Sequence, residues 1–312
     1  MNFYIKTLGC KVNQAESEKV VQVLTSYGHF FVRTAKQAQL IIINTCTVTH
    51  IADRKSRQLI RKLHKESPEA EIIITGCSVE NSCSSLPDIG QTVLKESLLS
   101  FIAKNFSTTN HHHNPHSSNR VRKNILVQNG CNYFCNYCII PHVRKNLTSY
   151  SLESIKEQAT KQVEAGVKEL VLTGINLGLY TNKGRGLTDL LKCIIALPGD
   201  FRVRLGSIEP NLLNNELLGL IERESKICPH LHIPLQGASD SLLSLMGRRY
   251  SITDYLSLIS SVQAKKRLIS ITTDVIIGFP GETEEDFKAL LELINKNIFL
   301  KIHFFHYSLR KG

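Results

Sequence analysis

Short apolar runs alternate with longer amphipathic stretches along most of the chain. Phe3-Tyr4-Ile5-Lys6-Thr7-Leu8, Leu40-Ile41-Ile42-Ile43 and Ile72-Ile73-Ile74-Thr75 are rich in β-branched and aromatic residues. Each is too short for a buried helix and reads as a strand. Their continuity, without polar alternation, predicts a parallel sheet covered on both faces. Helical stretches near 14–27 and 50–65 supply the crossovers, and a helix over 92–106 closes this part. The polar stretch 107–119, which includes His111-His112-His113 and His116, has hardly any large apolar side chain and reads as a linker. Alternation then resumes, with strands predicted at 125–127, 169–173, 201–205, 230–233, 271–277 and 301–305. The clearest helices between them are at 151–166, 214–224, 251–266 and 283–296. The last opens on Thr283-Glu284-Glu285-Asp286, a cap with acids in the first turn. Six strand–helix units joined by short loops predict a full or partial barrel. The expected fold class is α/β: a parallel-sheet domain over 1–106, a linker over 107–119 and a partial (β/α)6 TIM-like barrel over 120–312.

Composition narrows the function classes. Of 312 residues, 42% are hydrophobic and 21% charged, which is ordinary globular usage and excludes wholesale disorder. No apolar run approaches the ~20 residues of a membrane helix. The start, Met1-Asn2-Phe3-Tyr4-Ile5-Lys6, lacks the parts of a secretory signal, so a cytoplasmic protein without membrane attachment is expected. In that compartment nine cysteines point to metal or catalysis rather than disulfides. A net charge of +11 fits a polyanionic partner such as nucleic acid.

The sharpest chemical signal is Cys131-Asn132-Tyr133-Phe134-Cys135-Asn136-Tyr137-Cys138, directly after the first barrel strand. Loops after barrel strands open at the catalytic mouth. Three thiolates on so tight a loop suit three irons of a [4Fe–4S] cubane, leaving the fourth iron open for chemistry. The same spacing also suits a zinc knuckle with His142 as the fourth ligand. Cys10, Cys46 and Cys77 each sit just beyond an N-terminal strand, on what a parallel sheet makes one edge, where ligands gather. Glycine precedes Cys10 and Cys77, allowing a sharp turn and close backbone approach. These three thiols read either as a second cluster site or as core filler. Cys83, Cys193 and Cys228 show no such placement and read as structural.

The spacing CxxxCxxC after a first barrel strand resembles the radical S-adenosylmethionine superfamily. The two cysteine sets together resemble its methylthiotransferase family, most nearly the branch acting on N6-threonylcarbamoyladenosine beside the tRNA anticodon. The resemblance is carried by Thr7-Leu8-Gly9-Cys10-Lys11-Val12-Asn13-Gln14, Asn44-Thr45-Cys46-Thr47-Val48-Thr49, Asp53-Arg54-Lys55-Ser56-Arg57-Gln58 and Cys138-Ile139-Ile140-Pro141. It continues in Leu172-Thr173-Gly174-Ile175-Asn176-Leu177-Gly178, Gly206-Ser207-Ile208-Glu209-Pro210, Gly247-Arg248-Arg249-Tyr250 and 273–282. It makes 1–106 the methylthiotransferase domain and 120–312 the radical domain.

The resemblance implies two [4Fe–4S] clusters, on Cys10, Cys46 and Cys77 and on Cys131, Cys135 and Cys138, with S-adenosylmethionine on the second set. By the same resemblance, one S-adenosylmethionine would methylate sulfur on the N-terminal cluster. Another yields a 5′-deoxyadenosyl radical, and methylthio is delivered to carbon 2 of the adenine. Acid–base chemistry is the wrong tool for that C–H bond, so the cofactor carries the difficult step. Thr173, Gly174 and Asn176 would cradle the methionine end, Ser207 and Glu209 the ribose or methionine, and Gly278 with its apolar neighbours the adenine. Gln236 and Tyr307 end later strands at the same mouth, and strand-end packing is the competing reading for all eight. No acid–base catalytic residue is assigned.

Arg54, Lys55, Arg57, Arg61, Lys62 and Lys65 lie on the helix starting near His50, with Ile51, Leu59, Ile60 and Leu63 as its expected buried stripe. This cationic face reads as an RNA phosphate footprint, with Arg248 and Arg249 a second, smaller candidate. The partners implied are the tRNA anticodon loop and a one-electron reductant such as flavodoxin or ferredoxin; the sulfur donor stays unassigned. Relatives continue past Arg310-Lys311-Gly312 into an RNA-binding β-barrel, so this chain is expected to lack it. Lys145-Asn146 stand where relatives have glycine and a basic stretch. Two alternatives remain at this point. One is a methylthiotransferase acting on isopentenyladenosine in tRNA or on a ribosomal protein, the other a non-catalytic, zinc-containing RNA-binding module.

Overall fold

The isoleucine runs form the middle of a parallel sheet in the computed structural model, which describes residues 1–81, 85–108 and 121–309. β1 (Asn2–Thr7), β3 (Leu40–Thr45) and β4 (Glu71–Gly76) pair in register, with Ile5 opposite Ile42 and Ile42 opposite Ile73. The short β2 (Phe30–Phe31) and β5 (Gln91–Thr92) complete the order β2-β1-β3-β4-β5. All of β3 is buried, because both faces of the sheet are covered. Leu40, Ile42 and Ile73 pack with residues of α1 (Lys11–Ser26) and α4 (Lys95–Phe106), namely Val20, Leu24, Leu98 and Ile102. Ile41, Ile43, Ile72 and Ile74 pack on Ile60 and Leu63 of α2 (His50–Glu66), and the short α3 (Cys77–Glu80) follows β4 directly. Each such buried isoleucine stabilises the fold by about 2 kcal/mol relative to exposure.

The chain divides into two compact units. The first comprises the described residues up to 108, residues 139–145 and Leu309; the second comprises residues 121–138 and 146–308. Residues 139–145, which include the short α5 (Ile140–Val143), thus pack with the N-terminal sheet although they follow the Cys131–Cys138 loop in sequence. Most of the expected linker, the histidine run and Cys83 lie outside the described residues.

The second unit holds six parallel strands: Arg122–Leu126, Glu169–Thr173, Arg202–Leu205, His230–His232, Ser270–Ile277 and Lys301–His306. The first three form one ladder, the last three another, and parallel bridges Val203↔Ile227 and Ser207↔His232 adjoin the break. The result is the expected partial barrel. One continuous core, from Ile125 to Leu293, fills the space between strands and helices. Ser151, Asn214, Ser239, Ser251 and Thr283 each cap a helix by accepting a backbone N–H. At Thr283 the Asp286 carboxylate accepts the Thr283 amide in return, at 2.9 Å, which completes the predicted cap.

Two local expectations change. Ile51 is 52% exposed and does not belong to the buried stripe of α2. Asp53, Ser56, Ile60 and Leu63 form that stripe, and a residue two positions before Asp53 points to the opposite side at 100° per residue. The first barrel strand begins at Arg122 rather than Ile125, because parallel pairing with the second strand already starts at Arg122 opposite Glu169.

Candidate functional site

The register of the N-terminal sheet brings three cysteines to one edge. Asn44 pairs with Thr75 and Thr45 with Gly76, while the Leu8 amide donates to the Asn44 carbonyl at 2.8 Å. Cys10, Cys46 and Cys77 follow directly, all as free thiols. Cys10 is exposed, whereas Cys46 and Cys77 are buried. Gly9 and Gly76 have φ near +98° and +100°. A Cβ on Gly9 would lie 2.9 Å from Cys46 Cβ, and one on Gly76 would lie 2.4 Å from the Thr45 backbone. Both turns therefore require glycine.

Asn13, fully buried in α1, sits among the three. Its Nδ2 donates to the carbonyls of Leu8 (2.8 Å) and Thr45 (3.0 Å), in the chain leading to Cys10 and Cys46. Its Oδ1 lies 3.8 Å from Cys10 Sγ and 4.0 Å from Cys77 Sγ. The Lys95 ammonium stands 3.6 Å from Cys77 Sγ. Burial above all, aided by the neighbouring Cys77 and Cys10, pushes the Cys46 thiol up to about 11 against a backbone hydrogen bond from Val48. A coordinating metal reverses that balance and deprotonates a thiol outright.

In the second unit, Cys131, Cys135 and Cys138 lie half-buried on one loop. Phe134 turns that loop with φ +50°, and the Cys138 amide donates to the Cys135 carbonyl at 2.9 Å. Gln128, fully buried, fixes the entry: its Nε2 donates to the Gly130 carbonyl at 2.6 Å and its Oε1 accepts the Asn176 amide at 3.0 Å. Asn136 anchors the far side, donating from its side chain to the Leu245 carbonyl at 2.7 Å. Burial, chiefly, raises the Cys131 thiol, and Cys135 and Glu209 nearby add to it.

Arg248 is not the surface cation expected from sequence. Its side chain is 2% exposed. It donates to Cys135 Sγ at 3.3 Å, to the hydroxyls of Tyr137 and Tyr250 at 3.0 Å, and to the Glu209 carboxylate. A buried guanidinium is tolerated only with such partners. Burial raises the Glu209 carboxyl even against this neighbour. Arg249 remains exposed, stacked 4.1 Å from the Tyr133 ring.

The other predicted residues divide. The Asn176 side chain reaches the Cys131 thiol, and its Oδ1 is buried without a hydrogen-bond partner. Gln236 has a left-handed backbone, φ +66°, and a buried, unbonded Oε1. Such atoms suit the polar groups of a ligand at the strand ends. A Cβ on Gly174 would lie 2.8 Å from Gln128 Oε1. The Thr173 hydroxyl turns back to the Val171 carbonyl at 3.1 Å, which is a structural use. The Ser207 carbonyl accepts the Leu177 amide at 3.1 Å. Gly278, at φ +78°, donates its amide to Glu282. Tyr307 packs on Phe279, 5.2 Å between centroids, in an apolar group with Tyr137, Met246 and Ile276. Gln128 carried no sequence signal; Asn13 and Arg248 lie in stretches that carry the resemblance, but the roles seen here depend on their burial.

On α2, Arg54, Lys55, Arg61, Lys62 and Lys65 are exposed and Arg57 is half-buried. Cys193 packs against the barrel core, and Cys228 is buried 4.0 Å from Glu169 Oε2, both structural positions. His142 lies exposed on α5 in the first unit. Among the described residues no three Cys, His, Asp or Glu side chains converge on a point fit for one metal ion. A cubane asks less convergence, since each thiolate binds a different iron.

Residues 2–94 match the family described as "Uncharacterized protein family UPF0004", and residues 125–294 match the radical SAM superfamily. The chain is 37% identical to threonylcarbamoyladenosine tRNA methylthiotransferase MtaB of Thermotoga maritima, over 99% of this chain and 75% of that protein. It is 33% identical to tRNA-2-methylthio-N(6)-dimethylallyladenosine synthase of Syntrophus aciditrophicus, over 100% of this chain and 73% of that protein. In fold it is similar to the radical S-adenosylmethionine methyltransferase TsrM of Kitasatospora setae, with TM-score 0.69 at 15% identity, covering 97% of this chain and 72% of that one. The chain belongs to the radical S-adenosylmethionine methylthiotransferase family, an enzyme family whose cofactors are S-adenosylmethionine and [4Fe–4S] clusters.

Proposed function

We propose that this chain is a tRNA methylthiotransferase that adds a methylthio group to carbon 2 of N6-threonylcarbamoyladenosine at position 37, beside the anticodon. One observation carries the reading: two sets of three free cysteines, each beyond the carboxyl ends of parallel strands, in a chain that aligns along 99% of its length with a curated enzyme of that name. Cys131, Cys135 and Cys138 would hold one cluster, and Cys10, Cys46 and Cys77 the other. When bound, the clusters and S-adenosylmethionine supply the one-electron chemistry, the sulfur and the methyl group that an inert aromatic C–H bond demands.

The chain's own residues bind, orient and exclude water. Arg248 faces Cys135 with a buried positive charge and holds its sulfur in place with a charge-assisted hydrogen bond. Asn176 and Gln236 offer buried polar atoms for the amino acid and ribose groups of S-adenosylmethionine. Tyr137, Phe279 and Tyr307 form an apolar wall that keeps water from the reacting groups. The cations of α2 would bind RNA phosphates. The electron comes from a flavodoxin- or ferredoxin-type donor.

The test is mass spectrometry of tRNA nucleosides from cells with and without the gene. Loss of 2-methylthio-N6-threonylcarbamoyladenosine on deletion, restored by the wild-type chain and not by Cys135→Ala, is the expected result. Loss of the dimethylallyl analogue instead would reassign the substrate, and an unchanged nucleoside profile would overturn the reading. Anaerobically reconstituted protein should hold about eight irons per chain, the content of two cubanes.

A further inference from the structure

Arg144 lies six residues after Cys138 in sequence yet packs with the first unit. Its side chain is fully buried. NH1 and NH2 grip the Glu16 carboxylate at 2.7 and 3.0 Å, and NH2 also donates to Asn13 Oδ1 at 2.6 Å. That oxygen is the atom facing Cys10 Sγ and Cys77 Sγ. The same short segment touches the thiol site twice more. Ile139 and Val143 pack on Cys77, and the Val143 carbonyl accepts from Lys95 at 3.0 Å, the ammonium that also reaches Cys77 Sγ.

Burying a guanidinium is costly until its partners compensate. Anchoring a four-residue helix does not call for that, since its apolar residues already seat it on Cys77. The thiol site does call for it. Asn13 must spend its two N–H donors on the Leu8 and Thr45 carbonyls, which leaves its negative oxygen end toward the sulfurs. Once those sulfurs are thiolates, an unscreened amide oxygen beside them is repulsive. A guanidinium on that oxygen holds the amide in place and supplies a compensating charge.

We propose that Arg144 is a positioning residue for the cluster held by Cys10, Cys46 and Cys77, fixing Asn13 and setting the electrostatic environment of those sulfurs, with Glu16 as its counter-charge. This rests on the reading of those three cysteines as cluster ligands. Net charge around a cluster sets its reduction potential. Removing the cation lowers the potential, and removing the anion raises it. A purely structural ion pair, once broken from either side, loosens the site in the same way.

The experiment uses the full chain carrying Cys131→Ala, Cys135→Ala and Cys138→Ala, which leaves only the first-unit site, reconstituted anaerobically. Iron content, electron paramagnetic resonance and the midpoint potential are read in this parent and in the added variants Arg144→Gln and Glu16→Gln, with circular dichroism as the check on folding. The expected result is a tenfold lower reduced-to-oxidised ratio at the parent midpoint for Arg144→Gln, about 59 mV for one electron, and a shift of opposite sign for Glu16→Gln. Should Arg144→Gln fail to fold, Glu16→Gln decides: a raised potential supports the assignment and an unchanged one overturns it. Equal potentials in all three proteins, or shifts of the same sign, overturn the role of Arg144 alone. A parent without cluster iron overturns the ligand assignment itself, and this inference with it.

Discussion

Arg248 shows how much one side chain can organise. Its guanidinium joins Cys135, Tyr137, Tyr250 and Glu209, residues drawn from three separate loops. Arg248→Ala leaves Glu209 buried without its cation, which costs about 3–5 kcal/mol. Thermal denaturation should show this, and Arg248→Lys should recover only part, because an ammonium cannot fork across four partners. Glu169 makes a second, different prediction. Burial pushes its carboxyl up, but Arg204 and Arg122 together outweigh this and hold it below the usual carboxylate range. A depressed carboxyl contributes stability that is complete above its unfolded pKa of ~4.3 and is lost as pH falls through the folded value. Melting temperature should therefore drop below pH ~4, and Glu169→Gln should be less stable at neutral pH with a flatter acid limb; equal acid limbs would contradict the assignment. The cysteines were legible in sequence because thiols are rare and their spacing carries the chemistry. The buried roles of Arg248, Gln128 and Asn13 were not. Arg248 meets Cys135 across 113 residues, and only the folded strand ends show that a residue typical of surfaces is buried.

At the scale of elements, pattern sufficed wherever burial was two-sided or periodic. The isoleucine strands and the Thr283 cap emerged within a few residues of their predicted places. The helix Leu187–Ile195 was harder to see, being only nine residues long and preceded by a small antiparallel ladder, Thr181–Asn182 with Arg185–Gly186. The α2 helix is legible in its outer face and misread at Ile51, since one apolar residue in a first turn does not define a stripe. Its cations give the element-scale prediction. Arg54, Lys55, Arg61 and Lys62 are exposed, and only Lys62 approaches an acid, Glu66 at 3.7 Å, among the ion pairs described. Changing these four to glutamine should weaken tRNA binding without altering circular dichroism. If each contacts one phosphate, the slope of log affinity against log salt should fall by about 3–4. An unchanged slope would make this face an ordinary solvated one.

For the whole molecule, the consequence of two compact units is that each cysteine set reports on its own surroundings. The first unit's thiols are held by β1, β3, β4 and the residues that follow them, the second unit's by a loop between the first two barrel strands. A bound group stabilises the fold that binds it by mass action, and does so where its ligands are ordered. Hydrogen exchange resolved by mass spectrometry can separate the two effects. Reconstitution should slow exchange around 8–13, 44–47 and 76–80 and, separately, around 128–138 and 174–178. In protein carrying Cys131→Ala, Cys135→Ala and Cys138→Ala, the first set should still gain protection while the second does not. The reverse should hold for Cys10→Ala, Cys46→Ala and Cys77→Ala. The contrast matters because burial above all raises the Cys46 thiol to about 11, so iron must draw that proton off as it binds. Loading should release protons and gain protection together. Protection rising equally at both sites in either triple variant would mean that the six cysteines do not divide into two independent ligand sets.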